Sequence, residues 1–134
     1  MTAQPLYEKK TQDMIIRVRP RFIEDESAPV EHRYVWAYTI QIENAGTRTV
    51  QLLTRHWKIT DRAGRVQEVH GEGVVGQTPV LEPGDTFEYT SGAPLSEPSG
   101  VMEGAYGLSD GEGDFTVDIP AFSLDSPYDS ARPN

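Results

Sequence analysis

The sequence predicts an all-β domain, a sandwich or barrel of about seven short strands, and three observations carry that expectation. Apolar residues recur at every second position in several separate segments. No window keeps a helical period. Turn-forming residues punctuate the alternating runs, with 12 glycines and 10 prolines in 134 residues, which holds each run to strand length. A chain of this size buries roughly two thirds of its unfolded surface, enough for one core and no second domain. Residues 1–126 are expected to form that domain, with 127–134 as a flexible C-terminal tail.

The first strand is expected within Asp13–Glu24, where Met14, Ile16, Val18, Pro20 and Phe22 alternate with Ile15, Arg17, Arg19, Arg21 and Ile23. Pro20 has no amide hydrogen to give a ladder, which places this strand at a sheet edge or a bulge. Its arginines share the outward face, as a solvated surface that discourages edge pairing rather than as an anion or partner patch. The strongest pattern, Glu31–Asn44, carries Tyr34, Trp36, Tyr38, Ile40 and Ile42 on one face. It is expected at the centre of a sheet, with its aromatic stripe in the core rather than serving as a stacking platform. Asn44, Ala45 and Gly46 turn the chain. Thr49–Asp61 follows, but Leu52 and Leu53 break its alternation. A bulge or sheet crossing near Leu53 would restore it and put Leu53, Arg55, Trp57 and Ile59 on one side. Asp61-Arg62-Ala63-Gly64 makes a tight hairpin to a short return strand, Val66–Val69. Later strands are expected at Thr86–Ser91, with Phe87 and Tyr89 on one face, and at Val101–Leu108, interrupted by Gly104 and Gly107. The last runs through Phe115, Val117 and Ile119 and should stop at Pro120, with Phe122 and Leu124 packing back onto a sheet.

The net charge of −9 is unevenly spread. Residues 1–65 hold eleven Lys or Arg against eight acids, whereas residues 66–134 hold thirteen acids and a single base, Arg132. Such a second half repels phosphate backbones, so nucleic acid is not an expected partner. The absence of cysteine excludes disulfides and thiolate metal sites and suits a reducing cytoplasm. No apolar run reaches the length of a signal peptide core or of a membrane span, so a cytoplasmic protein without membrane attachment is expected.

One glycine spacing has the form of a motif: Gly71, Gly73 and Gly76 in GEGVVG satisfy the G-x-G-x-x-G of dinucleotide-binding loops. That chemistry needs a helix leaving the glycines to offer its amides to a pyrophosphate. Only Gln77–Glu82 separate Gly76 from Pro83-Gly84, with Pro79 among them, and Glu68, Glu72, Glu82, Asp85 and Glu88 surround the loop. The glycines are therefore expected to serve a tight β-loop, with a backbone anion nest as the competing reading. His32, His56 and His70 form no metal motif in sequence, but His56 and His70 flank the Asp61–Gly64 hairpin at similar offsets and so could oppose one another. Ser91, Ser96 and Ser99 lack a nucleophile elbow, and no carboxylate pair stands out. No catalytic residues are indicated.

The long stretch HGEGVVGQTPVLEPGDTFEYTSGAPLSEPSGVMEGAY, followed by FTVDIPAFSLDSP, resembles the signature of the ApaG family, and the strand pattern from Asp13 onward agrees with it over nearly the whole chain. The resemblance implies a fibronectin type III-like, immunoglobulin-like β-sandwich of two packed antiparallel sheets. It implies no reaction, since the family has no established enzymatic activity, and similar domains at the C-termini of larger eukaryotic proteins look like protein-interaction modules. The expectation is a non-enzymatic binding module for an unidentified protein partner, without a cofactor, as a monomer or weak dimer. The second expectation is a protein that binds phosphates, dinucleotide polyphosphates or divalent cations, with Gly71, Gly73 and Gly76, which match the family's glycine motif, as the ligand loop.

Overall fold

The alternating segments pair into two antiparallel sheets packed face to face, and the alternation decides which side chains meet between them. The structure is a computed structural model that describes residues 6–129. Its strands are β1 (Tyr7–Thr11), β2 (Met14–Phe22), β3 (Tyr34–Asn44), β4 (Val50–Asp61), β5 (Val66–Glu72), β6 (Val80–Leu81), β7 (Thr86–Leu95), β8 (Gly100–Ser109) and β9 (Asp114–Leu124). One sheet has the order β1-β2-β3-β7; the other has β5-β4-β8-β9, with β6 paired to β4 beside β5. The protein is an all-β sandwich. The nine strands exceed the seven marked by sequence punctuation because β1, mostly polar, and β6, two residues long, have too little pattern to show alternation.

The core forms where β3 meets β4, β8 and β9. Tyr34, Trp36, Tyr38, Ile40 and Ile42 are all buried, as their spacing predicts. Tyr38 packs edge-on against Trp57, ring centroids 5.4 Å apart, and Phe122 lies against both at 5.8 and 5.9 Å, so three rings join the sheets. Trp36 is 1% exposed, and its indole N–H is satisfied by the carbonyl of Asp125 at 2.7 Å. Asn44, also buried, donates to the carbonyls of Arg48 and Leu81 and accepts from the amide of Gly46. Its amide thus ties the end of β3 to the β6 loop at no cost in unpaired polar groups.

The irregularities fall where the sequence strains its own alternation. The β4–β8 register shifts between Leu52 and Thr54, as the Leu52-Leu53 break predicts; Arg55, Trp57 and Ile59 then face inward, whereas Leu53, expected on their side, is the bulged residue itself and does not pack on the core. Pro20 lies in β2 beyond Val18, the last residue that β1 covers, so it occupies an edge segment. Pro120 does not stop the last strand. β9 continues to Leu124 because the β8–β9 register shifts between Met102 and Gly104, and the extra residue on β9 makes a bulge in which a missing amide hydrogen is tolerated. That bulge turns Phe122 and Leu124 into the core.

The charge asymmetry of the sequence is folded back on itself. Lys9, Arg48, Arg62 and Arg65 of the first half pair with Asp118, Asp110, Asp129 and Glu97 of the second, at 3.2, 2.8, 3.0 and 3.1 Å. Arg17 lies between Glu8 and Glu43, which fits a solvated strand rather than an anion patch. Residues 127–129, assigned to the tail by sequence, lie against the sandwich: the Tyr128 hydroxyl donates to Glu24, and its ring packs near Phe22 and Tyr34. Residues 130–134 of that tail lie outside the described residues. No helix among the described residues is long and apolar enough to cross a membrane.

Candidate functional site

The two sheets close on one side only. β1 and β2 lie over β9, but at the opposite side the edges of β7 and β5 stand apart. Between them opens a cleft of about 380 Å³, walled by Trp57, Ile59, Val69, Ala93 and Met102. Its lip is the loop 73–77, and its polar side chains are Arg55, Tyr38, Gln67, Tyr89 and Ser91.

Arg55 is placed by the β4 bulge, which turns it inward in line with Trp57. In register with it on β5 stands Gly71. A Cβ on Gly71 would lie 2.6 Å from the guanidinium carbon, so the absence of a side chain there leaves the slot Arg55 occupies. From that slot Nη1 donates to the carbonyls of Glu72 and Gly73, each at 2.9 Å. Gly73 sits at φ +63°, and a Cβ on it would meet the Gln77 carbonyl oxygen at 2.3 Å. Beyond it, Val74 and Gln77 exchange two backbone hydrogen bonds of 2.8 Å around Val75 and Gly76. Both central residues have positive φ, +42° and +79°, the type I′ geometry of a two-residue hairpin. Valine is an uncommon choice in the left-handed region, and Val75 is nonetheless half exposed at the loop tip.

Three tyrosines face the cation. The hydroxyls of Tyr89 and Tyr106 hydrogen-bond to each other. Burial pushes Tyr38, Tyr89 and Tyr106 above the ordinary phenol range, against a smaller downward pull from Arg55. All three are neutral hydroxyls at physiological pH, able to donate or accept a proton in a hydrogen bond.

Gly71, Gly73 and Gly76, singled out by sequence, therefore lie together at the lip of the cleft: Gly71 and Gly73 seat Arg55, and Gly76 completes the turn. The amides of Gly73, Val74 and Gln77 are taken by Leu53, Gln77 and Val74. Sequence reading missed the tyrosine hydroxyls as members of the site that Arg55 forms under the glycine loop. The available signal was Arg55 on the same side of β4 as Trp57 and Ile59, a charge at an inward position. His56 and His70 are in register across β4 and β5, as their offsets from the hairpin suggest; His32 stands apart at the end of a 3-10 turn.

Fold and site define a small all-β sandwich with an open inter-sheet cleft under a glycine-rich hairpin. Residues 24–110 match the family model of the ApaG domain, and the chain belongs to the ApaG family. It is 56% identical over 130 residues to the protein ApaG of Rhodospirillum centenum, covering 96% of this chain and 100% of that one. The protein ApaG of Paramagnetospirillum magneticum is 55% identical with the same coverage. Among solved structures, an ApaA protein from Bordetella pertussis superposes with a TM-score of 0.83 at 45% identity, over 95% of this chain and 99% of that one.

Proposed function

We propose that this protein is a non-enzymatic binding module, cytoplasmic and fibronectin type III-like, whose cleft takes an extended segment of a protein partner. The observation that carries this reading is the pair of free strand edges beside an apolar cavity. Among the described residues β5 pairs only with β4, and β7 only with β3, so both edges flank the cleft with unpaired backbone groups. An extended peptide adds hydrogen bonds to such an edge and inserts alternate side chains into the adjoining pocket. Trp57, Ile59 and Val69 give that pocket apolar walls, and Arg55 with Tyr38 supplies the few polar contacts that fix orientation. Val75 at the lip adds an exposed apolar contact. A photo-crosslinker at Val75 is expected to capture a discrete set of proteins in native lysate, while the same group at Thr116, exposed on β9, captures none of them. Equal capture at both positions would sink this reading.

A second reading, a compact anion such as a phosphate or dinucleotide polyphosphate, is favoured by one observation: the Arg55 guanidinium faces the cavity beneath the glycine loop. Against it stand the amides of Gly73, Val74 and Gln77, which are already taken by backbone carbonyls. The expected result is no change in melting temperature with millimolar ATP or diadenosine tetraphosphate in the absence of a divalent cation. A site at hundredfold ligand excess would add about 2.7 kcal/mol. A saturable rise of that size, abolished by Arg55→Met, would replace the protein partner with an anion.

A further inference from the structure

The outer face of the β5-β4-β8-β9 sheet, turned away from the cleft, carries a cluster that neither the core nor the proposed function uses. The register that sends Arg55 and Trp57 inward sends His56 and Lys58 outward and sets His56 opposite His70. Glu68, two residues before His70 on β5, shares that face. The two imidazole rings stack with centroids 4.1 Å apart and planes 10° from parallel. Both turn Nε2 towards one carboxylate oxygen: Glu68 Oε1 lies 2.9 Å from His56 Nε2 and 4.0 Å from His70 Nε2.

We propose that His56, Glu68 and His70 bind a divalent transition-metal cation of the zinc or nickel class, with water completing the coordination. Two imidazole nitrogens and one carboxylate oxygen form the donor set of three-ligand zinc sites. Their candidate ligand atoms already lie within 4.8 Å of one another. Bonds of about 2.0–2.1 Å in a tetrahedral site place ligand atoms about 3.3 Å apart, so the widest gap closes by about 1.5 Å. His70 can supply that movement, since its side chain is 72% exposed. The backbone need not move, because β4 and β5 are held in register from Thr54 to Thr60. A glutamate carboxyl is ionised at neutral pH, and neutral imidazoles offer a ring nitrogen, so all three groups are in ligating form there. Lys58, in register with Glu68, puts one competing positive charge beside the site. Together with the exposure of Glu68 and His70, it sets the expected affinity in the micromolar rather than the nanomolar range.

The test is calorimetric titration of the full chain with zinc chloride and, separately, nickel chloride at neutral pH. One site per chain is expected for each metal. His70→Ala and Glu68→Gln should each weaken it by more than about 100-fold, the upper end of the loss typical of residues that only support the ligands. His32→Asn should leave it unchanged, and circular dichroism should show every variant folded. Magnesium at millimolar concentration is expected not to displace zinc, since a hard cation prefers an all-oxygen site. No saturable binding of either metal, binding that His70→Ala leaves intact, or displacement by magnesium would each overturn the proposal.

Discussion

The two sides of the sandwich are made from the same kinds of strand yet end differently. On the closed side, the β1–β2 hairpin lays Ile16 and Val18 over β9, whose Val117 and Leu124 are likewise fully buried, and Tyr7 packs against Phe122 with ring centroids 6.1 Å apart. On the open side, an arginine, the tyrosine hydroxyls of Tyr38 and Tyr89 and a strained turn line the gap between the sheet edges. The closed side gains apolar burial; the open side keeps polar groups that apolar packing would leave unpaired.

The sharpest way to break this comparison is to empty the closed side. Phe122→Ala removes a fully buried ring shared by Tyr7, Tyr38 and Trp57 and should cost about 3–5 kcal/mol, read from urea unfolding. A cost near that of an exposed residue would mean the closed side carries no more than the open one. Gly73→Ala comes next, at about 2 kcal/mol, because it forces a positive φ and places a methyl group against the Gln77 carbonyl. That loss should appear with or without nucleotide; a loss seen only in ligand binding would make the loop a recognition element rather than a fold element.

The tyrosines sharpen the comparison through pH. Burial raises the Tyr89 and Tyr106 hydroxyls above 10.0, so the folded state favours their neutral forms. Their contribution is fully present below pH 10, where both states hold the proton, and is progressively lost as pH rises above it because the unfolded phenols ionise first. Thermal melts between pH 9 and 11 should fall steeply, and Tyr89→Phe should flatten the fall. A flat wild-type profile would place these hydroxyls in water. The smallest effect is a gain. Val75→Asn relieves a valine held at φ +42° in a type I′ turn and should stabilise by up to about 1 kcal/mol, detectable as a higher melting temperature. If the strain serves binding, the same variant should lose crosslinked partners while gaining stability.

The core was legible because alternation is a local property. Tyr34 to Ile42 occupy one face of an extended strand whatever pairs with it, and Leu52-Leu53 announces a bulge because two adjacent apolar residues cannot both face inward. β1 was not legible, since the Glu8-Lys9-Lys10 run has no apolar periodicity and forms a strand only because β2 offers it an edge. Pro120 misled for a related reason: proline forbids one hydrogen bond, and whether that ends a strand or bulges it depends on the neighbour's register.

The site divides along the same line. The glycine spacing was visible in the sequence, and so was the inability of a helix to follow it. That Gly71 clears a slot for Arg55, that Arg55 meets tyrosines from both sheets, and that His56 and His70 stack beside Glu68 are matters of pairing between strands. By itself the sequence determined the strand periods, the turn chemistry and the aromatic core, because steric limits and burial act within a few residues. Only the tertiary structure decided which side of the sandwich stays open and which charges meet, because those depend on hydrogen-bonded register between segments that lie far apart in the chain.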